Sequence, residues 1–305
     1  MIDILSKRYY YFLFSFFVIV PGIVLLVVGG LPLAIDFTGG SLFEVRFEAG
    51  KTPGTETLLG LYEEAGIDDA QVTTTEVGSL VIRSSFLDNE VRDQILSAME
   101  ESSGSSVEII TFDSVGPSIG EQVARRAILA VAVAALAVIA YITLAFRKVE
   151  NAFRYGICAI IAMVHDVAVV FSVAGIGAKF FGWQMDALFL TALLTVIGFS
   201  VQDKVVVFDR IRENATILRR LEYEKLVNHS IVQTLQRSIN TQLMTVEFLL
   251  LALALFGGVT LQEFAVILLV GLLSGTYSSI FVAAPILVLW EKQEWQSWFG
   301  RSAHA

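Results

Sequence analysis

Long runs of apolar residues alternate with short polar segments along most of the chain. The first run extends from Tyr9 to about Leu33, contains no charged residue and follows Lys7 and Arg8. It is long enough to cross the ~30 Å hydrocarbon core of a bilayer as a helix. A cleaved signal peptide is the alternative explanation, but the run is longer than a signal peptide's apolar region and lacks a small-residue cleavage site. The pattern therefore favours a membrane-spanning helix.

Five more apolar runs predict further transmembrane helices, which gives six spans in all. They cover approximately residues 127–146, 155–180, 187–208, 231–256 and 264–290. The composition agrees, since 55% of the residues are hydrophobic and only 17% are charged, whereas soluble domains are about 25% charged. We expect a polytopic α-helical membrane protein.

The periodicity changes between the first two spans, where a separate domain is predicted. Alternation of apolar and polar residues indicates strands at 42–47, 70–75, 80–84 and 107–113. Amphipathic patterns indicate helices at 54–65 and 88–101, and Asp88 or Asn89 is expected to cap the second helix. The order strand, helix, strand, strand, helix, strand is that of a ferredoxin-like α+β domain.

The charges of the chain are divided unevenly between this domain and the spans. Residues 36–121 hold 17 acidic and four basic residues, and the remainder holds 13 acidic and 17 basic residues. Basic residues concentrate before the first span, at 147–154, at 209–230 and in the tail. Because short cytoplasmic loops are rich in Lys and Arg, both termini are predicted to be cytoplasmic and the acidic domain extracytoplasmic. The predicted divisions are 1–35 (first span), 36–121 (outer domain and connector), 122–292 (five spans) and 293–305 (cytoplasmic tail).

Two charged residues are expected at the same depth in neighbouring spans. Asp203 lies six residues before Asp209 at the end of the fourth span, and Arg237 lies seven residues after Ser230 in the fifth. At ~1.5 Å per residue, both side chains would lie roughly 9–11 Å inside the cytoplasmic boundary. A carboxylate beside an arginine in a dry cavity suits a proton relay, but it equally suits a static ion pair that clamps two helices.

Other ionisable residues in the spans are secondary candidates. Lys204 points ~100° away from Asp203 around the helix, and we expect it to extend to the inner interface. The adjacent His165 and Asp166, near mid-membrane in the third span, suit either proton relay or a structural hydrogen bond to a neighbouring helix. Glu247 has no depth-matched partner in the sequence.

Several classes of function lack their sequence signatures. The chain has no phosphate-binding loop ending in Lys-Ser or Lys-Thr, no HExxH pair and no catalytic serine arrangement. Three His and one Cys are too few and too scattered for a zinc site. We therefore expect no enzymatic activity, no cofactor or metal and no nucleic-acid partner, and any energy would come from an ion gradient.

The motifs together identify a resemblance to the SecF family of bacterial protein-export membrane subunits, within the wider SecD/SecF family. The resemblance covers nearly the whole chain in the right order. The segments that carry it are Ile35-Asp36-Phe37-Thr38-Gly39-Gly40, Val115-Gly116-Pro117 to Gly120-Glu121, His165-Asp166-Val167, IGFSVQDKVVVFDRIREN at 197–214, Gln233 to Ser238, Gly257-Gly258 and Gly275 to Ile280. The motif glycines with Asp36 and Pro117 are expected to form turns where the chain enters and leaves the outer domain.

The resemblance implies a multi-pass protein of the bacterial cytoplasmic membrane that works with SecD to assist export of a polypeptide through the SecYEG channel. It places the chain in the resistance-nodulation-division superfamily of proton-driven machines and associates Asp203 and Arg237 with proton coupling. The expected mechanism is that protonation of Asp203 changes its attraction to Arg237, shifts the spans and moves the outer domain. A passive scaffold of the translocon and a small-molecule exporter are the alternatives. The family's usual Asn-Asp-Thr is replaced here by Gln202-Asp203-Lys204.

Overall fold

The computed structural model describes residues 3–48, 51–74, 78–147, 152–242, 248–256 and 258–294. The helices are α1 (Arg8–Gly29), α2 (Ile35–Thr38), α3 (Thr55–Glu64), α4 (Asn89–Ser103), α5 (Pro117–Phe146), α6 (Ala152–Phe181), α7 (Ala187–Ile217), α8 (Tyr223–Gln242), α9 (Phe248–Phe256), α10 (Gly258–Ser278) and α11 (Ala284–Glu291). The strands are β1 (Gly40–Arg46), β2 (Gln71–Thr74), β3 (Leu80–Ser84) and β4 (Glu108–Val115). A π-helical turn, Ser279–Ala283, joins α10 to α11.

The chain divides into two compact units. One consists of Met1–Pro32 with Ala130–Ala305, and the other is Leu33–Leu129. The first is referred to below as the helical bundle and the second as the sheet domain.

The sheet domain has the predicted order of elements, with ends that differ by no more than two residues from those expected. Its four strands are antiparallel in the order β2-β3-β1-β4. Phe43 on the central strand β1 is paired with Ile82 of β3 and Phe112 of β4. Apolar side chains of α3 and α4, including the fully buried Tyr62 and Met99, complete the core under this sheet. The predicted cap is confirmed at Asp88, whose carboxylate accepts a hydrogen bond from the Val91 amide at 2.9 Å.

The helical bundle contains helices that are long and apolar enough to cross a membrane. Five such helices occur in the described part of the chain, namely Leu5–Gly29, Pro117–Phe146, Phe153–Phe181, Ala187–Ile217 and Leu261–Glu291. The predicted span 231–256 includes residues 243–247, which lie outside the described residues, so six spans stay a prediction. The second and fourth of the predicted spans are parts of longer helices, because α5 begins at Pro117 and α7 continues to Ile217.

Glycines let the helices of the bundle approach closely. A Cβ at Gly22 of α1 would lie 2.0 Å from the Ser172 carbonyl oxygen of α6, and one at Gly271 of α10 would lie 2.2 Å from a Val196 methyl of α7. Small residues at helix contacts allow the backbone-to-backbone packing that stabilises membrane bundles. Gly275 continues this contact, since its Cβ would lie 3.3 Å from the Ser200 Cα. Helices α7 and α10 are therefore in direct contact at the level of the candidate site.

Ion pairs join one end of the bundle. The Arg8 guanidinium contacts Glu224 at 2.9 Å and Glu294 at 2.7 Å, and Lys292 also pairs with Glu224. The hydrogen bond from Lys292 holds the pKa of Glu224 below its ordinary value. These contacts bring together the start of α1, the start of α8 and the segment after α11, which are the chain segments that the sequence places in the cytoplasm.

Candidate functional site

Helix α7 brings two adjacent charged side chains into the interior of the bundle. Its first turn is fixed by Asp186, whose carboxylate accepts a hydrogen bond from the Phe189 amide at 2.7 Å. The helix then carries no charged residue until Asp203. Both Asp203 and Lys204 are buried, with 7% and 0% of their surface exposed. Buried charges in a membrane span are costly and mark functional sites or internal pairs.

Lys204 forms a buried ion pair with Asp166 of α6. The ammonium Nζ donates to Asp166 Oδ2 at 2.7 Å, to the Ser200 carbonyl oxygen at 3.0 Å and to Ser200 Oγ at 2.6 Å. An ammonium has three protons to donate, so each finds an acceptor. The expectation that Lys204 extends to the inner interface is therefore wrong. Its rotation away from Asp203 turns it towards α6, where a carboxylate compensates for its burial.

The Asp166 carboxylate is surrounded by donors from three helices. Oδ2 also accepts from Ser200 of α7 at 2.6 Å and from Ser278 of α10 at 2.7 Å. Oδ1 accepts from Ser274 of α10 at 2.7 Å and lies 3.1 Å from His165 Nδ1. Several hydrogen bonds to a carboxylate favour its charged form, so Asp166 is a stabilised internal anion.

His165 connects this network to α1. Its Nε2 lies 2.9 Å from Ser15 Oγ, and its ring stacks on Tyr277 with 6.0 Å between the ring centres. The Tyr277 hydroxyl lies 3.5 Å from Ser15 Oγ and donates to the Tyr11 carbonyl oxygen at 2.8 Å. Asp166 and His165 thus hydrogen-bond to neighbouring helices, and the sequence left open whether they also take part in proton relay.

Asp203 is in a very different environment. Its Oδ1 accepts one hydrogen bond, from Ser238 Oγ of α8 at 2.7 Å. Its Oδ2 is buried without a hydrogen-bond partner. The neighbouring Ser279 hydroxyl donates at 2.5 Å to the Gly275 carbonyl oxygen. A buried carboxylate oxygen without a donor is costly when the group is ionised, so Asp203 is much less stabilised as an anion than Asp166.

The predicted ion pair between Asp203 and Arg237 is not formed. Arg237 lies on the exposed side of α8, and the adjacent residue Ser238 makes the contact with Asp203. Counting residues placed the correct helix at the correct depth, but a step of one residue turns a side chain by ~100° around the helix. The prediction therefore identified the right helix and the right level, but Ser238 and not Arg237 contacts Asp203. The Arg237 charge acts on Asp203 without a direct ion pair.

Helix α10 and its π-helical turn contact both carboxylates through consecutive serines. Ser278 donates to Asp166, and Ser279 lies beside Asp203. Both hydroxyls are within hydrogen-bond distance of the Gly275 carbonyl oxygen, at 3.2 and 2.5 Å. Isolated π-helical turns are frequent at functional sites, and this one begins at Ser279, the second serine of the pair. A change in the charge of either carboxylate would therefore alter the hydrogen bonds of the same helical turn.

Four serines of the site were not identified from the sequence, namely Ser200, Ser238, Ser274 and Ser278. A signal for three of them was present. Ser200 lies four residues before Lys204, and Ser274 lies four before Ser278. Residues four apart share one face of a helix, so each pair marks a polar stripe inside an apolar span. For Ser238, the sequence offered only its position directly after Arg237 in the motif 233–238.

Of the remaining candidate residues, Glu247 lies outside the described residues, and the others belong to the sheet domain. In the sheet domain, Asp36 lies on α2, Gly39 and Gly40 have φ of 73° and 121°, and a Cβ at Gly39 would lie 2.7 Å from Pro117 Cα. A Cβ at Gly120 would lie 2.4 Å from the Gly39 amide nitrogen, whereas one at Gly116 would meet nothing within 4 Å. The two glycine-containing motifs are therefore in contact with each other.

Within the described ranges, no cluster of three or more His, Cys, Asp or Glu side chains could hold a metal ion. Each of the two buried carboxylates can bind a proton and accept hydrogen bonds.

Comparison with known families matches most of the chain. Residues 95–293 match the model described as protein export membrane protein SecD/SecF, C-terminal. Residues 24–51 match the SecD/SecF GG motif, which includes Gly39 and Gly40. The chain is 63% identical to the protein translocase subunit SecF of Anaerolinea thermophila over 99% of this chain and 98% of that protein.

Longer relatives and solved structures show the same similarity. The chain is 34% identical to the protein translocase subunit SecDF of Bacillus subtilis over 96% of this chain and 38% of that protein. The crystal structure of SecDF from Thermus thermophilus superposes with a TM-score of 0.80 at 33% identity, covering 95% of this chain and 39% of that one. A second SecDF structure, in a super-membrane-facing form, gives a TM-score of 0.68 at 30% identity over 98% of this chain and 40% of that one. The chain therefore spans about two fifths of the solved SecDF chains.

Proposed function

Because the chain belongs to the SecD/SecF family of protein export membrane proteins, we propose that it is a SecF-type subunit that uses the proton motive force to assist polypeptide export through the SecYEG channel. The single observation that carries the proposal is the contrast between its two buried carboxylates. Asp166 is saturated with donors, whereas Asp203 has one hydroxyl donor and a buried oxygen without a partner. Asp203 is the group suited to gain and lose a proton.

A separate SecD protein is the proposed partner. The Bacillus subtilis and Thermus thermophilus relatives are named SecDF, and this chain matches 38% and 35% of their lengths. The name SecDF joins SecD to SecF in one protein, which supports SecD as the partner of a SecF-type chain. The other partners of the proposal are the SecYEG channel, the translocating polypeptide and the lipid bilayer.

The proton step is proposed to couple to movement of α8. When Asp203 carries a proton, the neutral Ser238 hydroxyl is a sufficient partner for it. Loss of the proton leaves a charge that a hydroxyl satisfies poorly, and Arg237 is the next residue on the same helix. A rotation of α8 that replaces Ser238 by Arg237 would then be favourable. Asp203 and Arg237 thus keep their proposed coupling roles, as partners in one state of a cycle and not in both.

Helix α10 is proposed to transmit the same step to the rest of the bundle. The Asp203 carboxylate is next to Ser279, whose hydroxyl donates to the Gly275 carbonyl oxygen. Ionised Asp203 would compete for this hydroxyl, because a carboxylate is a stronger acceptor than a backbone carbonyl. The adjacent Ser278 is fixed on Asp166, so the π-helical turn is anchored on one side and free to rearrange on the other.

The surrounding topology is proposed to follow the sequence. Six spans, both termini in the cytoplasm and a multi-pass location in the bacterial inner membrane place the sheet domain on the outer side. Its element order and the strand order β2-β3-β1-β4 support a ferredoxin-like fold. Movement of the spans would move this domain, which would hold or pull an emerging polypeptide.

Replacement of Asp203 by Asn tests the proposal. The amide keeps the size and a hydrogen-bond acceptor but cannot release a proton, so we expect loss of the export that an imposed proton gradient stimulates. The assay is polypeptide import into inverted vesicles containing this chain, SecD and SecYEG, with and without the gradient. Assembly with SecD, measured by co-purification, should be unchanged.

The matched control is Asp209→Asn on the same helix. Asp209 is an exposed carboxylate that pairs with Arg212 at 2.6 Å, and its loss should leave stimulated export intact. Normal stimulation in the Asp203→Asn variant would contradict the proposal and favour a passive scaffold, which moves no protons.

A further inference from the structure

The proposed function does not use His165, although its imidazole contacts Asp166 and Ser15 inside the bundle. We propose that it is a second proton-binding site, separate from Asp203, and that its protonation reverses a hydrogen bond to Ser15 and passes the change to α1 and α10 through Tyr277. The inference goes beyond the export proposal, because it concerns an equilibrium of this chain without a gradient. It rests on four contacts that together fix the direction of each hydrogen bond.

The neutral state is defined by Asp166. A carboxylate only accepts hydrogen bonds, so the proton of the neutral imidazole is on Nδ1, which lies 3.1 Å from Asp166 Oδ1. Nε2 is then an acceptor, and the Ser15 hydroxyl at 2.9 Å donates to it. In this state Ser15 has no proton left for the Tyr277 hydroxyl.

The protonated state reverses the contact at Nε2. A proton taken from water binds Nε2, which then donates to Ser15 Oγ, and the imidazole gains one positive charge. The Ser15 hydroxyl no longer donates to the His165 ring, and its O–H can turn towards the Tyr277 hydroxyl 3.5 Å away. Tyr277 can accept it, because its own proton is already used towards the Tyr11 carbonyl oxygen at 2.8 Å. Every donor in the chain from His165 to Tyr11 then points the same way.

The charges around His165 allow this change. The Asp166 carboxylate of α6 contacts the His165 ring through Oδ1. Its other oxygen, Oδ2, accepts a hydrogen bond from the Lys204 ammonium of α7 at 2.7 Å. From the other two packed helices, α10 contributes the Tyr277 phenol to the network, and α1 contributes the Ser15 hydroxyl and the Tyr11 carbonyl oxygen. The Asp166 and Lys204 charges offset each other, so protonation places one net positive charge beside a hydrogen-bonded anion. The His165 side chain is 10% exposed.

The consequence is a second two-state contact in the bundle. Ser15 and Tyr11 belong to α1, which packs against α6 through Gly22 and Ser172, and Tyr277 directly precedes the Ser278-Ser279 pair. Protonation of His165 tightens the hydroxyl chain between these helices. The state of α1 therefore depends on pH independently of Asp203.

The experiment is a pH titration of the His165 ring in the full chain in lipid nanodiscs, followed by ¹⁵N NMR of labelled histidine. The chain has three His, so replacement of His229 and His304 by Gln leaves His165 as the single reporter. We expect a neutral ring protonated on Nδ1 at high pH and a doubly protonated ring at low pH. A ring that keeps one protonation state from about pH 5 to 8, the range in which histidine ordinarily titrates, would overturn the proposal.

A second variant tests the hydroxyl chain itself. Tyr277→Phe removes the acceptor for the released Ser15 proton, so it destabilises the protonated state and should move the titration midpoint down by about half to one pH unit. The control Tyr10→Phe removes an exposed phenol of α1 and should not move the midpoint. An unchanged midpoint in Tyr277→Phe would also overturn the proposal. Neither result depends on export or on Asp203, so failure here is distinguishable from failure of the proposed function.

Discussion

Asp166 and Asp203 show how neighbouring side chains assign different properties to two chemically identical residues. Both are buried in the bundle. Asp166 accepts from an ammonium and three serine hydroxyls and lies beside an imidazole, so its charge is compensated. Asp203 accepts from one hydroxyl. The two carboxylates therefore differ in how well their contacts compensate a negative charge.

The Asp166–Lys204 pair should behave as a unit in stability measurements. Asp166→Asn leaves a buried ammonium without its counter-charge, which we expect to destabilise the bundle by about 3–5 kcal/mol. The double variant Asp166→Asn with Lys204→Met removes both charges and should recover most of that loss. Unfolding of the purified chain in detergent gives the comparison.

The control for this cycle is Asp209→Asn, which breaks an exposed pair with Arg212. Surface ion pairs contribute only about 0–1 kcal/mol, so this variant should unfold nearly as the wild type does. An Asp166→Asn variant as stable as Asp209→Asn would show that the buried pair has no energetic role.

At the level of single residues, sequence reasoning found the charges but not all of their partners. Asp203, Lys204, His165 and Asp166 were identified because ionisable residues are rare in spans. Arg237 was assigned as the partner where Ser238 makes the contact, and Lys204 was directed to the interface although it is fully buried. Helix periodicity relates residues within one helix, whereas the rotation of one helix against another depends on packing that a single sequence does not contain.

The glycine motifs of the sheet domain act at the level of elements. They place α2, β1 and the start of α5 against each other, since Gly39 contacts both Pro117 and Gly120. Gly39 also has φ 73° and ψ 173°, a conformation open essentially to glycine alone. The motif is therefore a close backbone crossing.

Alanine at these positions should destabilise the sheet domain. Gly39→Ala introduces backbone strain of about 1–3 kcal/mol, and Gly120→Ala forces a Cβ to within 2.4 Å of a backbone nitrogen. Hydrogen exchange of residues 33–129 in the full chain should accelerate in both variants. Gly116→Ala is the matched control because nothing lies within 4 Å of its Cβ; equal exchange in all three variants would refute the crossing.

The existence and type of the helices and strands could be predicted from the sequence better than the residues at which they begin and end. Alternation gave each strand of the sheet domain, and apolar length gave the helices of the bundle. The sequence did not show that α5 begins at Pro117, ten residues before the predicted span, or that α7 continues to Ile217. Polar residues continue a helix outside the membrane as readily as they form a loop, so hydropathy locates the bilayer and not the helix end. The π-helical turn had no signal in the sequence.

At the scale of the whole molecule, the helical bundle combines one polar interior with an apolar exterior. Helix α5 exposes Ile128, Leu136 and Leu144, as expected of a helix surrounded by lipid or by another membrane protein. The polar interior is formed by α1, α6, α7, α8 and α10 around Asp166 and Asp203. Helices α8 and α10 contact Asp203 through Ser238 and next to Ser279, so they are the elements to which the proposed proton step would couple.

In the proposed cycle Asp203 exchanges a proton and Asp166 does not. Infrared difference spectroscopy of the chain with SecD in lipid, recorded between two pH values, detects the C=O stretch of a protonated carboxylic acid directly. We expect a band of this kind in the wild-type spectrum that is absent from Asp203→Asn and retained in Asp166→Asn. A band that is lost in Asp166→Asn and retained in Asp203→Asn would show that Asp166 is the group that exchanges the proton.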